Sequence, residues 1–173
     1  MTYMPRPPHA ASLFFTVRLA QPGGTLLVDH VDLLRDAVRV TLKRRPFQIA
    51  AWVVLPDHMH AVWTLPAADP IYSERWGAIK AQFTMAYRKR CEVAPGPELV
   101  SGELPLGPEP APLKEPPVWR RRFQVYRIRD DAERKALVRY CWRDPVKHGL
   151  VGRAEDWELS SVHRDMRENN EKY

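Results

Sequence analysis

The sequence predicts an α+β protein built on a ferredoxin-like, RRM-like antiparallel sheet. In some segments apolar and polar side chains alternate, which is typical of strands, and in others apolar residues recur with a helical period. The order of these strand-like and helix-like segments along the chain indicates the fold. That order is strand, helix, strand, strand, helix, strand, as in the split βαβ fold. A further helix follows, so we expect two helices on one face of the sheet and an additional C-terminal helix over or beside the other.

The first strand and the first helix are both predicted from the spacing of apolar residues. Residues 13–19 alternate large apolar side chains with Phe14, Thr16 and Arg18, which should share the opposite face. Asp29 is the expected N-cap of the first helix, which should end before Pro46 because a proline disfavours the α region for the residue preceding it. The core stripe of this helix is Val31, Leu34, Ala37, Val38, Thr41 and Leu42.

The next two strands should form a hairpin that turns at Pro56 and Asp57. Residues 49–55 and 61–65 are rich in β-forming side chains, and His58 and His60 open the second strand of the pair. Alternate residues of a strand point to one face, so the two imidazoles should converge. The alternative is a pair of half-exposed histidines at a sheet edge. We expect this strand to lie inside the sheet, where a metal ion or hydrogen-bond partners would have to satisfy both rings.

A second helix and a compositionally distinct segment come next. Ser73 is the expected cap of this helix, which should end at residues 88–90. Its core stripe is Trp76, Ile79, the stem of Lys80, Phe83 and Tyr87. Residues 92–118 contain eight prolines, five glutamates and one lysine. Such a segment buries too little apolar surface to offset its ordering entropy, so we interpret it as an extended or disordered insertion in a single domain of residues 1–173.

The last strand and the last helix carry further candidate residues. Residues 119–129 predict a basic strand interleaved with aromatic side chains. Asp130 or Asp131 should cap the following helix, which should stop at Arg143 because of Pro145. On it, Tyr140 and Asp144 lie one turn apart on the same side.

Asp144 is a candidate metal ligand because of where it stands in this helix. A carboxylate at a helix C-terminus opposes the macrodipole unless a cation compensates. Tyr140 beside it could then serve the same metal centre. The alternative is that Tyr140 is an aromatic residue at the edge of the core and Asp144 simply the residue before Pro145.

The charge balance points to an anionic partner. The whole chain carries +6 and residues 92–118 carry −4, so the rest carries +10. A strongly basic protein is typical of nucleic-acid binding. The candidate phosphate contacts are Arg120, Arg121, Arg122, Arg127 and Lys147, each of which could also be an ordinary solvated charge. The two isolated cysteines, and the lack of an apolar run of signal-peptide or membrane length, favour a cytoplasmic protein with reduced thiols.

Together these motifs resemble the REP-associated tyrosine transposases, which belong to the HUH (His-hydrophobic-His) superfamily of single-strand DNA endonucleases. The resemblance covers nearly the whole chain except the insertion. It is carried by residues 14–17, 46–47, 51–60, 63–64, 119–123, 128–130, 144–151 and 157–161, together with Tyr140.

The resemblance implies a specific site and reaction. In that family two histidines bind a divalent metal and a tyrosine on a C-terminal helix attacks a DNA phosphate, which leaves a 5′-phosphotyrosine and a free 3′-hydroxyl. By this resemblance His58 and His60 are the ligands, Tyr140 is the nucleophile, and Asp144 is a candidate third ligand. Mg²⁺ or Mn²⁺ is the expected cofactor. The expected partner is single-stranded or hairpin DNA such as a REP-like palindrome, bound by a nucleoid-associated monomer or homodimer.

Two departures and two alternatives remain. The family usually has Asn where this chain has Asp144, and the Pro-rich insertion is atypical. Tyr126, on the neighbouring basic strand, is the main competitor of Tyr140 for the role of nucleophile. A non-catalytic RRM-like nucleic-acid-binding module would also suit a basic, aromatic sheet. Such a module has no use for His58 and His60 on one face, and this feature discriminates between the two functions.

Overall fold

The computed structural model of the protein describes residues 11–93 and 116–170. Its strands form one antiparallel sheet in the order β2-β3-β1-β4, which confirms the predicted α+β, ferredoxin-like fold. The strands are β1 (Ala11–Arg18), β2 (Gln48–Val54), β3 (His58–Leu65) and β4 (Gln124–Arg127). The strand that carries the two histidines therefore lies inside the sheet, as expected from the sequence.

The helices cover both faces of this sheet. They are α1 (Leu26–Asp29), α2 (Val31–Arg44), α3 (Tyr72–Val93), α4 (Asp131–Lys147) and α5 (Val162–Asn170), with a 3₁₀ helix at Ala154–Asp156. Within residues 11–93 and 116–170, no helix combines the length and the apolar character that crossing a membrane requires. Cys91 is an exposed free thiol and Cys141 a buried one.

The larger core lies between the sheet and helices α2 and α3. Alternate residues of β1 and β3 enter it, and the side chain of Trp63 stacks on that of Trp76 from α3 with ring centroids 4.3 Å apart. Leu34 and Ala37 from α2 are buried in the same cluster. The predicted alternation of β1 and the predicted stripe of α2 are thus confirmed.

A second, smaller core lies on the opposite face, under α4. Val138 and Cys141 of this helix pack against Val53, Leu55 and Val62 of the sheet. The additional C-terminal helix therefore packs over the face that a bare ferredoxin-like sheet leaves open. Its position encloses the histidines of β3, which point to this face and are each only 4% exposed.

Several predicted helix boundaries were wrong. Asp29 does not cap the first long helix: it closes the short helix α1, where the Thr25 hydroxyl donates to its carboxylate over 2.6 Å. His30 precedes α2 without a side-chain cap. Helix α3 begins one residue before Ser73 and continues beyond residue 90 to Val93.

Helix α4 also runs further than predicted, because Pro145 lies inside it. Asp130 is the cap, accepting a hydrogen bond from the Glu133 N–H over 2.8 Å. Pro145 lacks a backbone N–H donor, but the helix continues to Lys147. His148 is the C-cap, and the following Gly149 has a φ of +68°, in the left-handed region. The Leu150 N–H bonds to the Pro145 carbonyl over 2.9 Å and the Gly149 N–H to the Val146 carbonyl over 3.0 Å, which is a Schellman motif.

The fourth strand is shorter than the predicted 119–129. Only Gln124–Arg127 pair along β1, while Trp119 forms an isolated bridge to Leu19. The segment before β4 is held instead by α3: the Lys80 ammonium donates to the Arg120 carbonyl over 3.0 Å, and the Trp119 indole donates to the Lys80 carbonyl over 3.2 Å. Because of these contacts with α3, the segment before β4 does not pair regularly with β1.

The expected insertion falls almost wholly outside the described residues, but its flanks are described. Val93 ends α3, while Val118 packs against the larger core and its carbonyl accepts from the Ala20 N–H over 2.9 Å. The separable part must therefore end before Val118. Replacing residues 95–114 by a flexible linker of about ten residues should change the thermal midpoint by no more than about 3 °C. A calorimetric scan that shows a much larger drop would mean that this segment packs against the fold.

Candidate metal and nucleophile site

The two imidazoles of β3 are each oriented by a hydrogen bond at Nδ1. Asp57 Oδ1 lies 2.7 Å from His58 Nδ1, and the second oxygen of this carboxylate accepts from the Gly23 N–H over 3.0 Å. A 2.9 Å hydrogen bond joins Thr16 Oγ1 to His60 Nδ1. A histidine held at Nδ1 in this way is positioned to bind a metal through Nε2.

Asp144 of α4 is the point to which the Nε2 atoms converge. Its Oδ2 lies 3.2 Å from His60 Nε2 and 3.6 Å from His58 Nε2. His148, one turn further along α4, brings its own Nε2 to 3.6 Å from the same oxygen. The Asp144 side chain is fully buried, yet neither carboxylate oxygen has a hydrogen-bond partner among the residues that the structure describes. An acceptor left so in the interior is costly unless a cation satisfies it.

The electrostatics of this cluster favour opposite charges on Asp144 and His58. Burial raises the pKa of Asp144, but the adjoining imidazoles of His58 and His60 outweigh burial and hold it well below its usual value. Burial lowers the pKa of His58, but the carboxylates of Asp144 and Asp57 outweigh that effect and raise it. The carboxylate of Asp144 is therefore ionised, and it favours the protonated form of His58.

The donor set fits a divalent cation. Two metal–ligand bonds of about 2.1 Å at the tetrahedral angle place their donor atoms about 3.4 Å apart. The separations from Asp144 Oδ2 to the three imidazole nitrogens, between 3.2 and 3.6 Å, match this spacing. Imidazole nitrogen and carboxylate oxygen are also common ligands of divalent first-row metals.

Tyr140 lies beside this cluster, one helical turn before Asp144. Its ring contacts His60 edge to face at a centroid distance of 5.3 Å and Phe14 at 5.8 Å. The Lys147 ammonium lies 5.3 Å from the centre of the same ring. The residue is 38% exposed, so a macromolecular substrate can reach it from solvent.

Tyr126, the competing tyrosine, is placed differently. It is on β4, and its hydroxyl donates to Glu133 Oε1 over 2.5 Å. That bond to a carboxylate raises the pKa of Tyr126. Its oxygen is thus engaged by an anion, which disfavours attack on a phosphate.

The structure separates the predicted phosphate contacts into three groups. Arg120, Arg121 and Arg122 are exposed in the segment next to Arg18, whose carbonyl accepts from the Arg120 N–H over 3.0 Å. Lys147 forms the second group, with its ammonium over the Tyr140 ring. Arg127 pairs with Leu13, which enters the larger core, so Arg127 is on the face of the sheet away from the histidines.

Sequence reasoning missed two other cations near the tyrosine. Arg139, Arg143 and Lys147 follow one another at intervals of one helical turn. They line a groove along α4, which Tyr140 and Asp144 also line. Within residues 11–93 and 116–170, no carboxylate pairs with any of the three. The i, i+4, i+8 spacing of Arg139, Arg143 and Lys147 was the available signal.

The same spacing could have found His148, which follows Tyr140 and Asp144 on one helical face. The sequence indicates Asp57 only as a turn residue, and Thr16 only as a residue that shares one face of β1 with Phe14 and Arg18. No local pattern pairs either of them with a histidine, because the two hydrogen bonds depend on the strand register and the turn geometry.

Comparisons with known proteins agree with this arrangement. The REP-associated tyrosine transposase of Escherichia coli K12 is 38% identical over 153 residues, which are 88% of this chain and 77% of that protein. A relative from Haemophilus influenzae, which bears the same name in provisional form, is 33% identical over 154 residues, 89% of this chain and 81% of its own.

A solved structure gives the same result. It shows a REP-associated tyrosine transposase bound to a REP hairpin and superposes with a TM-score of 0.73 at 38% identity, covering 91% of this chain and 79% of that one. No protein-family profile matches the chain.

Proposed function

The chain belongs to the REP-associated tyrosine transposases, a family of DNA-cleaving and strand-transferring enzymes, and from that membership we propose that it cleaves and rejoins single-stranded hairpin DNA through a covalent phosphotyrosine. The observation that carries the proposal is the contact of Tyr140 with His60, one of three imidazoles that converge on the buried Asp144 carboxylate.

We assign the chemical roles as follows. His58, His60 and Asp144 hold a divalent cation, for which the sequence-based expectation is Mg²⁺ or Mn²⁺. When bound, the cation polarises the scissile phosphate and offsets its developing charge. Tyr140 Oη attacks phosphorus, the bond to the 3′ oxygen breaks, the phenol loses its proton, and the leaving oxygen gains one as a free 3′-hydroxyl. The phosphotyrosine retains the bond energy needed to rejoin a strand by the reverse reaction.

The groove along α4 is the proposed path of the DNA strand at the site. Arg139, Arg143 and Lys147 lie along it with no carboxylate partner among the described residues, so their charges are available to phosphates. A REP hairpin is the ligand of the solved relative, and we propose a hairpin of that kind as the partner of this chain. Arg120, Arg121 and Arg122 are proposed contacts further along the strand.

The alternative of an RRM-like binding module is disfavoured by the position of α4. Such modules stack bases on the open face of the sheet. Here that face is occupied by α4, which packs Val138 and Cys141 onto β2 and β3. A nucleic acid has no such open face to bind, whereas it can reach the exposed Tyr140.

The proposal is tested by incubating the protein with end-labelled hairpin-bearing single strands from the flanking genome, with and without Mn²⁺. We expect a labelled protein–DNA adduct on a denaturing gel and a released product with a 3′-hydroxyl, both dependent on the metal. Cleavage without any adduct would contradict the covalent route. Hairpin binding with neither cleavage nor adduct under any divalent metal would favour a binding module.

DNA binding should be strongly dependent on salt, because the chain outside residues 92–118 carries +10. On a single strand, the plot of log affinity against log salt should have a slope of about −0.7 per phosphate contacted. Arg143→Gln should reduce the slope by about that amount, while Arg127→Gln, on the other face of the sheet, should change it less. Equal slopes for the wild type and Arg143→Gln, measured by fluorescence anisotropy, would place the strand elsewhere.

A further inference from the structure

We infer that His148 is a fourth protein ligand of the metal, and that the resulting donor set of three imidazoles and one carboxylate selects a first-row transition ion such as Mn²⁺ or Co²⁺ over Mg²⁺. This rests on the proposed function for the use of the site, but it concerns a residue to which the proposed function gives no role. The argument depends on the position of His148, on its contacts and on the chemistry of the donors.

His148 is held in place by the backbone at the end of α4. It is the C-cap residue, its N–H bonds to the Asp144 carbonyl over 3.0 Å, and the left-handed Gly149 that follows fixes the exit of the chain. Residues four apart lie on one face of a helix, so the side chains of Asp144 and His148 point the same way. The backbone at the end of α4 is thus sufficient to place the His148 imidazole beside the Asp144 carboxylate.

The contacts of His148 are those of a ligand rather than of a hydrogen-bond donor. Its ring lies edge to face with that of His58 at a centroid distance of 5.2 Å. Ligand atoms of His58, Asp144 and His148 all lie within 4.8 Å of one another, whereas His60 is linked to this group through Asp144, whose Oδ2 lies 3.2 Å from its Nε2. If His148 were present only to neutralise Asp144, its N–H should be aimed at the carboxylate, yet both oxygens are without a hydrogen-bond partner among the described residues. A bound cation would satisfy the buried carboxylate oxygens and the imidazole nitrogens that face them at such distances.

The number of imidazoles bears on which ion is bound. Mg²⁺ prefers an octahedral shell of oxygen donors and keeps several of its waters. Imidazole nitrogen is bound more strongly by Mn²⁺, and more strongly still by Co²⁺ along the Irving–Williams order. A third imidazole therefore increases the preference for the transition ions, and removing it should weaken Co²⁺ binding more than Mg²⁺ binding.

His148 can be tested in the unaltered protein, because its side chain is 47% exposed and accessible to an imidazole-acylating reagent such as diethylpyrocarbonate. We expect Mn²⁺ or Co²⁺, with no DNA present, to protect His148 from acylation as measured by peptide mass spectrometry. His30, a partly exposed histidine between α1 and α2, is the internal control and should react equally with and without metal. Protection of His148 that appears only when DNA is added, or no protection at all, would overturn the inference.

Two variants provide a second readout. His148→Ala should weaken Co²⁺ binding about tenfold or more and change the visible absorption of the bound ion, because an imidazole is lost, while His30→Ala should do neither. Mg²⁺ affinity should change less than Co²⁺ affinity in His148→Ala. An unchanged Co²⁺ spectrum in a variant that still unfolds cooperatively would contradict the assignment.

The outcomes separate this inference from the proposed function. DNA cleavage by a protein whose His148 is acylated equally with and without metal would leave the function standing and remove the fourth ligand. If metal protects His148 in a protein that forms no DNA adduct, His148 remains a metal ligand and the proposed DNA cleavage is contradicted.

Discussion

Replacing Tyr140 with phenylalanine is expected to abolish both strand cleavage and the covalent protein–DNA adduct. The substitution removes only the attacking oxygen, and the ring that contacts His60 and Phe14 remains. Loss of a nucleophile costs about 10⁴-fold in rate or more. The fold, the affinity for the metal and the affinity for hairpin DNA should stay near those of the wild type. A denaturing gel with labelled hairpin DNA measures the adduct, and anisotropy measures binding.

Tyr126→Phe is the matched control. Its hydroxyl is bonded to Glu133, and Arg129 donates to the same carboxylate through its backbone N–H over 2.7 Å, so the variant loses a surface contact and should still form the adduct. An adduct that survives Tyr140→Phe and disappears in Tyr126→Phe would overturn the assignment of the nucleophile. A Tyr140→Phe protein that no longer binds hairpin DNA would show that the hydroxyl has a binding role instead.

Removing the side chain of Asp144 is expected to have the second largest effect. Asp144→Ala deletes the oxygen on which the three imidazoles converge, so affinity for a divalent ion should fall about 100-fold or more and cleavage should be lost at ordinary metal concentrations. Asp144→Asn keeps an oxygen donor, and Asn is the residue that the family usually carries at this position. That variant should remain active with an altered metal preference, as measured by calorimetric titration and cleavage.

The matched control for charge is Asp131→Ala on the same helix. Asp131 is exposed and pairs with Arg134 and Lys135 on the surface, so its loss should leave metal affinity unchanged. If Asp144→Ala bound metal as tightly as the wild type, Asp144 would be excluded as a ligand. If Asp144→Asn were as defective as Asp144→Ala, the negative charge, rather than an oxygen donor, would be the essential property.

Features that repeat along the chain were predictable from the sequence. The alternation in β1, the stripe of α2 and the histidine pair at the start of β3 all follow from backbone geometry, since each strand or helix periodicity is independent of what packs against it. The element order then leaves few possible topologies, and the ferredoxin-like sheet with β3 inside it was among them. The spacing of Tyr140 and Asp144 could likewise be read from one helix.

Other features of the site depend on contacts between residues that are distant in sequence. Local pattern predicted that α4 would stop before Pro145. Packing on the open face of the sheet and the Schellman motif at Gly149 instead extend it, and so bring His148 to the Asp144 carboxylate. The register of β1 against β3 sets Thr16 beside His60, and that of β4 turns Arg127 away from the site. Local periodicity is enough to predict which residues share a face, because it depends on backbone geometry alone. Which faces meet depends on the packing of α4 against β3, which no local pattern encodes.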